Sequence, residues 1–250
     1  MPTLTLTISA VTNQADIRAL AGNPASAIYV IVNVNAAVYS SVATIAALVT
    51  GTGWAAGSKI KIVNNSGIYG CGGAGGTSGV NNASDGSSYW GGVSIASGAT
   101  PGGNGGAAIE IQDSHVAVSI DNTNGSIFGG GGGGGAGASG SQPNNNESVV
   151  VGGVGGAGRG YNQPAGAGGN SYLLDGSFDN GFTDNATYSM GGAGGDYGAA
   201  GNPGFDPGAM DYYYVPASAG GAAGKAVALN GRSVTWLAGN DANKVKGAVA

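Results

Sequence analysis

The sequence predicts a mostly β and irregular fold, with a small N-terminal β-rich module followed by a sandwich of polyglycine II helices that carries extended loops. Three observations predict this fold class. Glycine contributes 54 of the 250 residues, roughly three times its average usage. Only 8% of the residues are charged while 42% are hydrophobic, which excludes a charge-rich disordered chain. The apolar stretches are short and rich in Val and Ile, as strands are.

Residues 1–57 are predicted to form the β-rich module. Thr3–Ser9 alternates between threonine and apolar residues, which is the pattern of a half-buried strand. Ala27–Asn35 and Ser41–Thr50 are further apolar runs, and their Val and Ile content favours strand. A short helix is predicted over Ala15–Ala21, because a glycine that would end it follows directly.

Residues 58–250 are predicted to form a glycine-rich domain. The glycine tracts could also be flexible linkers, but linkers join folded domains, and the many tracts leave no segment between them that is long enough to be a domain. Glycine loses the most backbone freedom on folding, so ordered tracts require many lateral hydrogen bonds. A left-handed helix with three residues per turn leaves its N–H and C=O groups free for such bonds. The tracts are Gly70–Gly76, Gly102–Gly106, Gly129–Gly140, Gly152–Gly160, Gly166–Gly169, Gly191–Gly195, Gly198–Gly204 and Gly220–Gly224.

A short repeat recurs three times in this domain. Each copy has an apolar strand, a turn that contains Asn or Gly, and an aromatic residue close to a β-branched one. Such repetition indicates a stacked architecture. The three predicted copies are Lys61–Gly70, Val118–Gly129 and Val227–Trp236.

The segments between the tracts are rich in Tyr, Asn, Ser and Asp. Rigid aromatic rings beside small polar residues are typical of antibody binding loops. The same rings would also serve as a small core that glycine cannot supply, so for each single residue both interpretations stay open. For Tyr212–Tyr214 surface contact is favoured, since three adjacent side chains cannot all point inward. The twelve candidate contact residues are Tyr89, Trp90, Tyr161, Tyr172, Phe178, Phe182, Tyr188, Tyr197, Phe205, Tyr212, Tyr213 and Tyr214.

Motifs for catalysis, cofactors and metals are missing from the sequence. Cys71 is the single cysteine and His115 the single histidine, which excludes intrachain disulfides and cysteine-based metal clusters. No glycine tract forms a GxxxxGK[ST] phosphate loop, and no GxSxG nucleophile motif occurs. The spacing of Asp175, Asp179 and Asp184 matches no EF-hand calcium loop. The chain is therefore predicted not to be an enzyme and to hold no cofactor and no metal.

Charge is unevenly distributed along the chain. Residues 62–224 contain one base, Arg159, against eleven acids. An acidic middle repels phosphate, so nucleic acid and anionic lipid are disfavoured as partners. The N-terminus lacks the basic and apolar regions of a signal peptide. The longest apolar run, Val42–Val49, is too short to span a membrane.

Three motifs carry a resemblance to a known family. They are the strand, Asn-Asn turn and Gly-Ile-Tyr-Gly-Cys-Gly-Gly-Ala-Gly-Gly run over residues 60–76, the Asn-Gly-Ser-Ile-Phe run into seven glycines, and the closing Lys225–Trp236. They resemble the glycine-rich tips of bacteriophage tail fibres and tail-tip host-specificity proteins. Glycine tracts that alternate with aromatic segments are also similar to the distal adhesins of T-even-type phage long tail fibres. The resemblance covers roughly residues 58–250, and residues 1–57 do not look like the fibre-attachment domain of those adhesins.

The resemblance implies a phage tail fibre tip adhesin, located in the virion. In that family polyglycine helices form a rigid scaffold, and distal loops bind outer-membrane proteins or surface glycans of the host. Residues 58–250 would then be the receptor-binding tip domain, and the twelve aromatic residues would lie in receptor loops. Residues 1–57 would be an attachment or oligomerisation module that joins a tail fibre or tail-tip protein, either as a single cap or as a homotrimer. Neither nucleic-acid binding nor membrane insertion is expected.

Two other functions stay open as alternatives. A glycan-degrading depolymerase tip needs two acids held in a groove, and the sequence does not give their separation. An ice-binding or purely structural glycine-rich protein would also use polyglycine helices. An ice-binding protein should present a flat face of small residues, which long Tyr-rich segments would interrupt.

Overall fold

The structure, a computed structural model, describes residues 1–79, 81–82, 93–94, 98–141, 149–174, 189–206 and 214–250. Nearly all regular structure within them is strand, so the predicted mostly β and irregular fold class is confirmed. The elements in chain order are β1 (Thr3–Ile8), β2 (Thr12–Asn13), β3 (Ala15–Asp16), α1 (Ile17–Leu20), β4 (Tyr29–Val34), β5 (Val38–Tyr39), β6 (Leu48–Val49), β7 (Ser58–Asn64), β8 (Gly67–Tyr69), β9 (Asn81–Asn82), β10 (Val93–Ser94), β11 (Ile109–Glu110), β12 (Val116–Asp121), β13 (Ser126–Phe128), β14 (Ser139–Ser141), β15 (Val149–Val151), β16 (Tyr172–Leu174), β17 (Tyr214–Val215), β18 (Val227–Ala228), β19 (Val234–Ala238) and β20 (Val245–Lys246).

Fourteen of the strands wind into a parallel solenoid of five coils with three sheets. Sheet 1 has the order β1-β4-β7-β12-β19, sheet 2 the order β2-β5-β8-β13-β20, and sheet 3 the order β3-β6-β11-β18. The fifth coil reaches sheet 3 through a parallel bridge between Val249 and Val227. Strands on both sides of the predicted boundary at residue 57 share these sheets. The division of the chain into an attachment module and a receptor-binding domain stays a prediction.

Inward-facing rows of Val, Ile and Leu form the core of the solenoid. In sheet 1, for example, Val32, Ile62 and Ile120 are direct partners on neighbouring strands and are fully buried. Their neighbours along each strand point outward, as alternation with a period of two predicts. Full burial of each such side chain contributes about 1.5–3 kcal/mol.

The short helix α1 directly follows β3, and its Arg18 lies beside Gly51. It is shorter than the predicted Ala15–Ala21, because Ala15–Asp16 pair with β6 as strand β3. The Asp16 carboxylate caps the helix by accepting hydrogen bonds from two backbone N–H groups of its first turn, at 2.8 and 3.1 Å. Gly22, with φ of +77°, ends it.

A buried carboxylate ties a loop to the solenoid. Asp113, only 6% exposed, accepts hydrogen bonds from the backbone N–H groups of Gly53 and Trp54 at 2.6 and 2.8 Å. It also accepts from the backbone N–H of His115 at 2.8 Å, and its Oδ1 lies 2.9 Å from Nδ1 of the same residue. Burial raises the pKa of Asp113, but these hydrogen bonds to the charged form outweigh burial and lower the pKa to about 2. His115 therefore takes part in a structural contact.

Asparagine side chains pair the polar groups at the corner between sheets 1 and 2. Asn122 is fully buried, and its Nδ2 donates to the carbonyl of Gly239 at 2.9 Å. Its Oδ1 accepts from Asn64 Nδ2 of the preceding coil at 2.8 Å. These bonds satisfy groups that would otherwise be buried without partners.

The glycine tracts leave the solenoid between sheet 2 and sheet 3. Residues 70–108 connect β8 to β11, and residues 129–226 connect β13 to β18. Residues 129–138 are buried throughout and are called the central tract here. Six other segments surround the central tract and form hydrogen bonds with its backbone; they are residues 70–76, 102–106, 152–160, 191–195, 198–205 and 218–224.

The central tract is held by lateral backbone hydrogen bonds. Every N–H over Gly130–Gly135 donates to a neighbouring segment, and every C=O over the same residues accepts from one. Bonds to a given neighbour recur every third residue: Gly131 N donates to Arg159 O at 2.9 Å, and Gly134 N to Gly156 O at 2.8 Å. This is the period of a helix with three residues per turn. The assignment of the tracts as polyglycine II helices stays a prediction.

Two of the three predicted repeats are neighbouring coils of the solenoid. Lys61–Gly70 and Val118–Gly129 lie side by side, because β7 pairs with β12 and β8 with β13 in register. The third predicted copy, Val227–Trp236, is wrong because it joins β18 of sheet 3 to β19 of sheet 1. The equivalent third copy is Val234–Lys246, since β19 pairs with β12 and β20 with β13.

Candidate functional site

The tract ends that lie away from the solenoid meet at a small antiparallel sheet. Its strand order is β16-β15-β14-β17, and this region is called the distal end here. Residues 142–148 connect β14 to β15, residues 175–188 follow β16, and residues 207–213 precede β17. Three segments of the chain are therefore joined to one sheet.

Buried serine hydroxyls hold the tract ends together at the distal end. Ser139 Oγ accepts a hydrogen bond from Gly152 N at 3.0 Å, and Ser171 Oγ accepts from Ser189 N at 3.1 Å. Ser189 Oγ in turn donates to the carbonyl of Ala138. All three serines are fully buried. Because each bond joins two different tracts, the tract ends are fixed relative to one another.

Most of the predicted contact residues belong to the segments joined at this end. Tyr172 lies in β16 and Tyr214 in β17, the two edge strands of the distal sheet. Seven others lie outside the described residues: Tyr89, Trp90, Phe178, Phe182, Tyr188, Tyr212 and Tyr213. The contact role of these nine residues stays a prediction.

Phe205 is an exposed ring on the backbone of the distal end. It is 54% exposed, and its N–H donates to the carbonyl of Met190, itself 39% exposed, at 2.8 Å. The carbonyl of Phe205 accepts from Ala138 N in the central tract at 3.3 Å. An exposed apolar side chain on a firmly bonded backbone is available for contact with a partner.

Tyr161 and Tyr197 lie at the opposite end of the tracts. Both belong to short turns through which the tracts reverse beside the solenoid. Their rings pack on Tyr39, Tyr69 and Phe128, which are neighbours in register on sheet 2. The structure therefore does not bring these two predicted residues together with the distal end.

The five rings form one cluster, called the aromatic joint here. Tyr161 stacks on Tyr39 with ring centroids 4.8 Å apart and lies 5.3 Å from Tyr69. Tyr197 lies 5.6 Å from Tyr69 and 5.2 Å from Phe128. Aromatic pairs contribute about 0.5–1.5 kcal/mol each beyond the burial of their surface, so the joint fastens both turns to the solenoid.

Charged groups connect the two turns of the aromatic joint. Arg159 Nη1 lies 2.9 Å from Asp196 Oδ1, and the guanidinium lies 4.8 Å from the centroid of the Tyr197 ring. The hydroxyl of Tyr197 donates to the carbonyl of Gly160 at 2.9 Å. The Tyr197 N–H and the Arg159 guanidinium lower the pKa of Asp196, while burial raises the pKa of Tyr197. The one base of residues 62–224 is thus paired at the joint.

Tyr39, Tyr69 and Phe128 are not among the candidate residues predicted from the sequence. The sequence does contain a pattern that could identify them, because each ring directly follows an inward-facing β-branched residue, and this pair recurs in successive coils. Val38, Ile68 and Ile127 are those residues, and all three are fully buried.

In the described part of the chain, no group of three His, Cys, Asp or Glu residues is placed to hold a metal ion. Nor is any helix there long and apolar enough to cross a membrane. The thiol of Cys71 is partly buried, and burial raises its pKa.

The chain matches a known family over nearly its whole length. The family is described as phage tail fibre adhesin Gp38, and the match covers residues 3–250. The chain belongs to this family of phage tail fibre adhesins. The resemblance to phage tail fibre tips is confirmed, and the match also includes residues 3–57, which the resembling motifs do not cover. The adhesin is accordingly a component of the virion, exposed for attachment to the host.

The adhesin is also similar to a solved structure. That structure is the crystal structure of the gp37-gp38 adhesin tip complex of the bacteriophage S16 long tail fiber. The two chains share 21% sequence identity with a TM-score of 0.51, over 98% of this chain and 82% of that one. At this identity the likeness shows the fold alone. No curated protein matches the adhesin significantly.

Proposed function

We propose that the adhesin recognises the bacterial host from the tail fibre tip, by non-covalent binding through its distal end and without catalysis. The observation that carries this proposal is the joining of residues 142–148, 175–188 and 207–213 to one small sheet. That sheet is supported by tract ends that buried serines bond to each other. Anchors that are ordered before binding reduce the conformational entropy lost when a partner is bound.

The proposed contact surface contains ten of the twelve predicted aromatic residues. Eight belong to the segments at the distal end, and Tyr89 and Trp90 lie in the sequence between β9 and β10, which pair with each other in a separate sheet. Exposure of Phe205 on the distal end supports the proposed surface. Tyr161 and Tyr197 are left out, because their rings pack in the aromatic joint. The ten residues are Tyr89, Trp90, Tyr172, Phe178, Phe182, Tyr188, Phe205, Tyr212, Tyr213 and Tyr214.

The proposed receptor is an outer-membrane protein or a surface glycan. Residues 62–224 carry a large excess of acids, and their one base is already paired with Asp196. Phosphate groups would therefore meet no free cation from this part of the sequence. A basic protein surface, or neutral sugars stacked on aromatic rings, suits it better.

The first coil of the solenoid is the proposed attachment surface for a tail fibre protein. The similar S16 structure is a complex of gp37 with gp38. Strands β1, β2 and β3 each end their sheet, so this coil offers three strand edges to a partner. Val11 and Leu20 are 58% and 50% exposed, and a groove of about 500 Å³ is lined by residues between Thr7 and Leu20.

Binding of the labelled adhesin to intact Gram-negative cells tests receptor recognition. Saturable binding is expected, and replacing Tyr212–Tyr214 together by serine should abolish it without lowering the melting temperature. The matched control is Leu237→Ser, which changes a 51% exposed residue of the solenoid and should bind as the wild type does. Protease treatment of the cells separates a protein receptor from a glycan. Binding that survives the triple serine change would argue against the proposed surface, and release of sugar fragments would favour a depolymerase.

Attachment is tested with a pull-down of the tail fibre protein of the same phage. The double variant Val11→Glu with Leu20→Glu should lose the fibre protein and keep cell binding, because the altered residues lie on the first coil. Leu237→Glu on the last coil is the control and should keep both. Loss of the fibre protein from the Leu237 variant alone would place attachment on the last coil instead.

A further inference from the structure

The tracts do not by themselves fix how far each one slides along its neighbours. Lateral bonds to a given neighbour recur every third residue, so a shift by three residues pairs the same kinds of groups again. Seven consecutive glycines, Gly129–Gly135, carry no side chain that would distinguish one alignment from the next. Glycine-rich segments are known to specify register weakly.

The non-glycine residues within the tracts repeat with the same period. Cys71 and Ala74 are three residues apart in one tract, and Val154 and Ala157 are three apart in another. A shift by three residues therefore moves a side chain to a site that already accepts one. Tracts that directly adjoin β8, β11, β13 and β18 are aligned by those strands. For residues 152–169 and 191–205, which adjoin no strand of the solenoid, alignment has to be set at the inner turns or at the distal end.

The aromatic joint meets this requirement at both inner turns. A shift by three residues moves a turn by roughly 9 Å, at about 3.1 Å per residue of a three-residue helix. The ring centroids of Tyr161 and Tyr197 lie only 4.8 to 5.6 Å from those of their partners. All four ring contacts would be lost in the shifted alignment. The ion pair of Arg159 with Asp196 joins the two turns, so neither turn shifts without breaking it.

We infer that Tyr161 and Tyr197 are positioning residues that set the register of the glycine tracts. Through the tracts they fix where the chain emerges at the distal end, although neither residue lies there. Their partners Tyr39, Tyr69 and Phe128 are themselves fixed, because they are neighbours in register on sheet 2. This role is independent of what the distal end binds.

The serine hydroxyls of the distal end are the competing source of register. Ser139 and Ser189 each bond to a neighbouring tract. These bonds also distinguish one alignment from another, but each is a single hydrogen bond, and a shifted tract offers its hydroxyl another backbone group. The experiment therefore has to separate the two ends.

Nuclear magnetic resonance of the full chain, labelled with ¹⁵N at its 54 glycines, tests the inference. The wild type should give one set of glycine amide signals. Tyr161→Ala and Tyr197→Ala, singly and together, should give additional glycine signals in slow exchange, because two alignments are populated. Tyr161→Phe and Tyr197→Phe keep the rings and should give a single set. Phe205→Ala, at the distal end, is the control and should also give a single set.

A folded double alanine variant with one set of signals, shifted only near the substitutions, would overturn the inference and assign register to the serines. If the double variant does not fold, the single variants Tyr161→Leu and Tyr197→Leu decide, since leucine keeps apolar volume without a ring. One set of signals in both leucine variants would likewise overturn it, and doubled signals in either would support it.

Discussion

Replacement of Gly133 by alanine tests whether the central tract depends on contacts that only glycine permits. A Cβ on Gly133 would lie 1.8 Å from the carbonyl oxygen of Ala74, far inside the optimal separation of about 3.5 Å. The central tract and residues 70–76 would have to move apart by about 1 Å or more. That movement weakens the two hydrogen bonds that residues 70–76 donate to the central tract, from Gly73 N to Gly131 O at 2.9 Å and from Gly76 N to Gly134 O at 2.8 Å.

The expected cost follows from these contacts. Each lost hydrogen bond contributes about 0.5–1.5 kcal/mol net, and overpacking a filled site adds about 1–3 kcal/mol. Together they predict a loss of about 2–6 kcal/mol in the free energy of unfolding. For a chain of this size, each kcal/mol lost from the free energy of unfolding lowers the melting temperature by about 2–4 °C. Gly133→Ala is therefore expected to lower the melting temperature by on the order of 10 °C.

Differential scanning calorimetry measures this effect. The matched control is Gly98→Ala, because a Cβ there would meet nothing within 4 Å and the residue has no positive φ. The control should leave the melting temperature unchanged or raise it slightly, since alanine restricts the unfolded chain. Equal melting temperatures for Gly133→Ala, Gly98→Ala and the wild type would refute close lateral packing of the tracts.

Three further predictions concern the solenoid and metal ions. The folded pKa of Asp113 is about 2 against an ordinary 3.8, so the stability that its charged form contributes is complete above the unfolded pKa and is lost as the pH falls through about 2. In urea unfolding at neutral pH, the free energy of unfolding of the wild type should exceed that of Asp113→Asn by about 2 kcal/mol. A difference that does not shrink towards pH 2 would contradict this. Asn122→Ala should lower the free energy of unfolding by about 2–4 kcal/mol, because it leaves buried partners unpaired, whereas the exposed Asn124→Ala should cost under about 0.5 kcal/mol; equal losses would contradict the buried asparagine contacts. A chelator should leave the melting temperature unchanged, because the described residues include no metal-binding group, and a fall would reveal a metal site elsewhere in the chain.

The sequence predicts the long strands of the solenoid and misses the short ones for a physical reason. β7 and β12 show alternation with a period of two over several residues, which is a local signal. β5, β6, β11 and β18 contain two residues each, too few for any period to be visible. They are strands because the coils on either side pair with them, so their signal lies far away in the sequence.

The misaligned third repeat has a similar cause. Asn230 and Gly231 have the same residue types as the Asn-containing turns between sheets 1 and 2. Unlike the turn residues of the two earlier copies of the repeat, both adopt positive φ. In the structure they form the turn from sheet 3 to sheet 1 instead. Turn chemistry identifies a reversal of the chain, but it does not say which two sheets the turn connects.

Aromatic composition alone could not separate the joint from the proposed contact surface, since both contain tyrosine beside small polar residues. The order of the tracts does separate them. A tract that leaves the solenoid must be followed by one that returns, so the connections alternate between the distal end and the solenoid. The connections at the solenoid are short, Tyr161–Ala165 and Asp196–Tyr197, while Asn170–Met190 and Phe205–Ala219 at the distal end are long.

This alternation gives the two kinds of connection different freedom to change. A short inner turn has its ring fixed by contacts with sheet 2 and its charged residue fixed by the ion pair between the two turns. A long distal connection is held at its ends mainly by backbone hydrogen bonds and by serines that belong to the tracts. Backbone bonds do not depend on which side chains occupy residues 142–148, 175–188 or 207–213. The sequence of these segments is therefore free to change while the tracts keep the same glycines and the joint keeps the same rings. Under the proposed function, such changes would alter the partner.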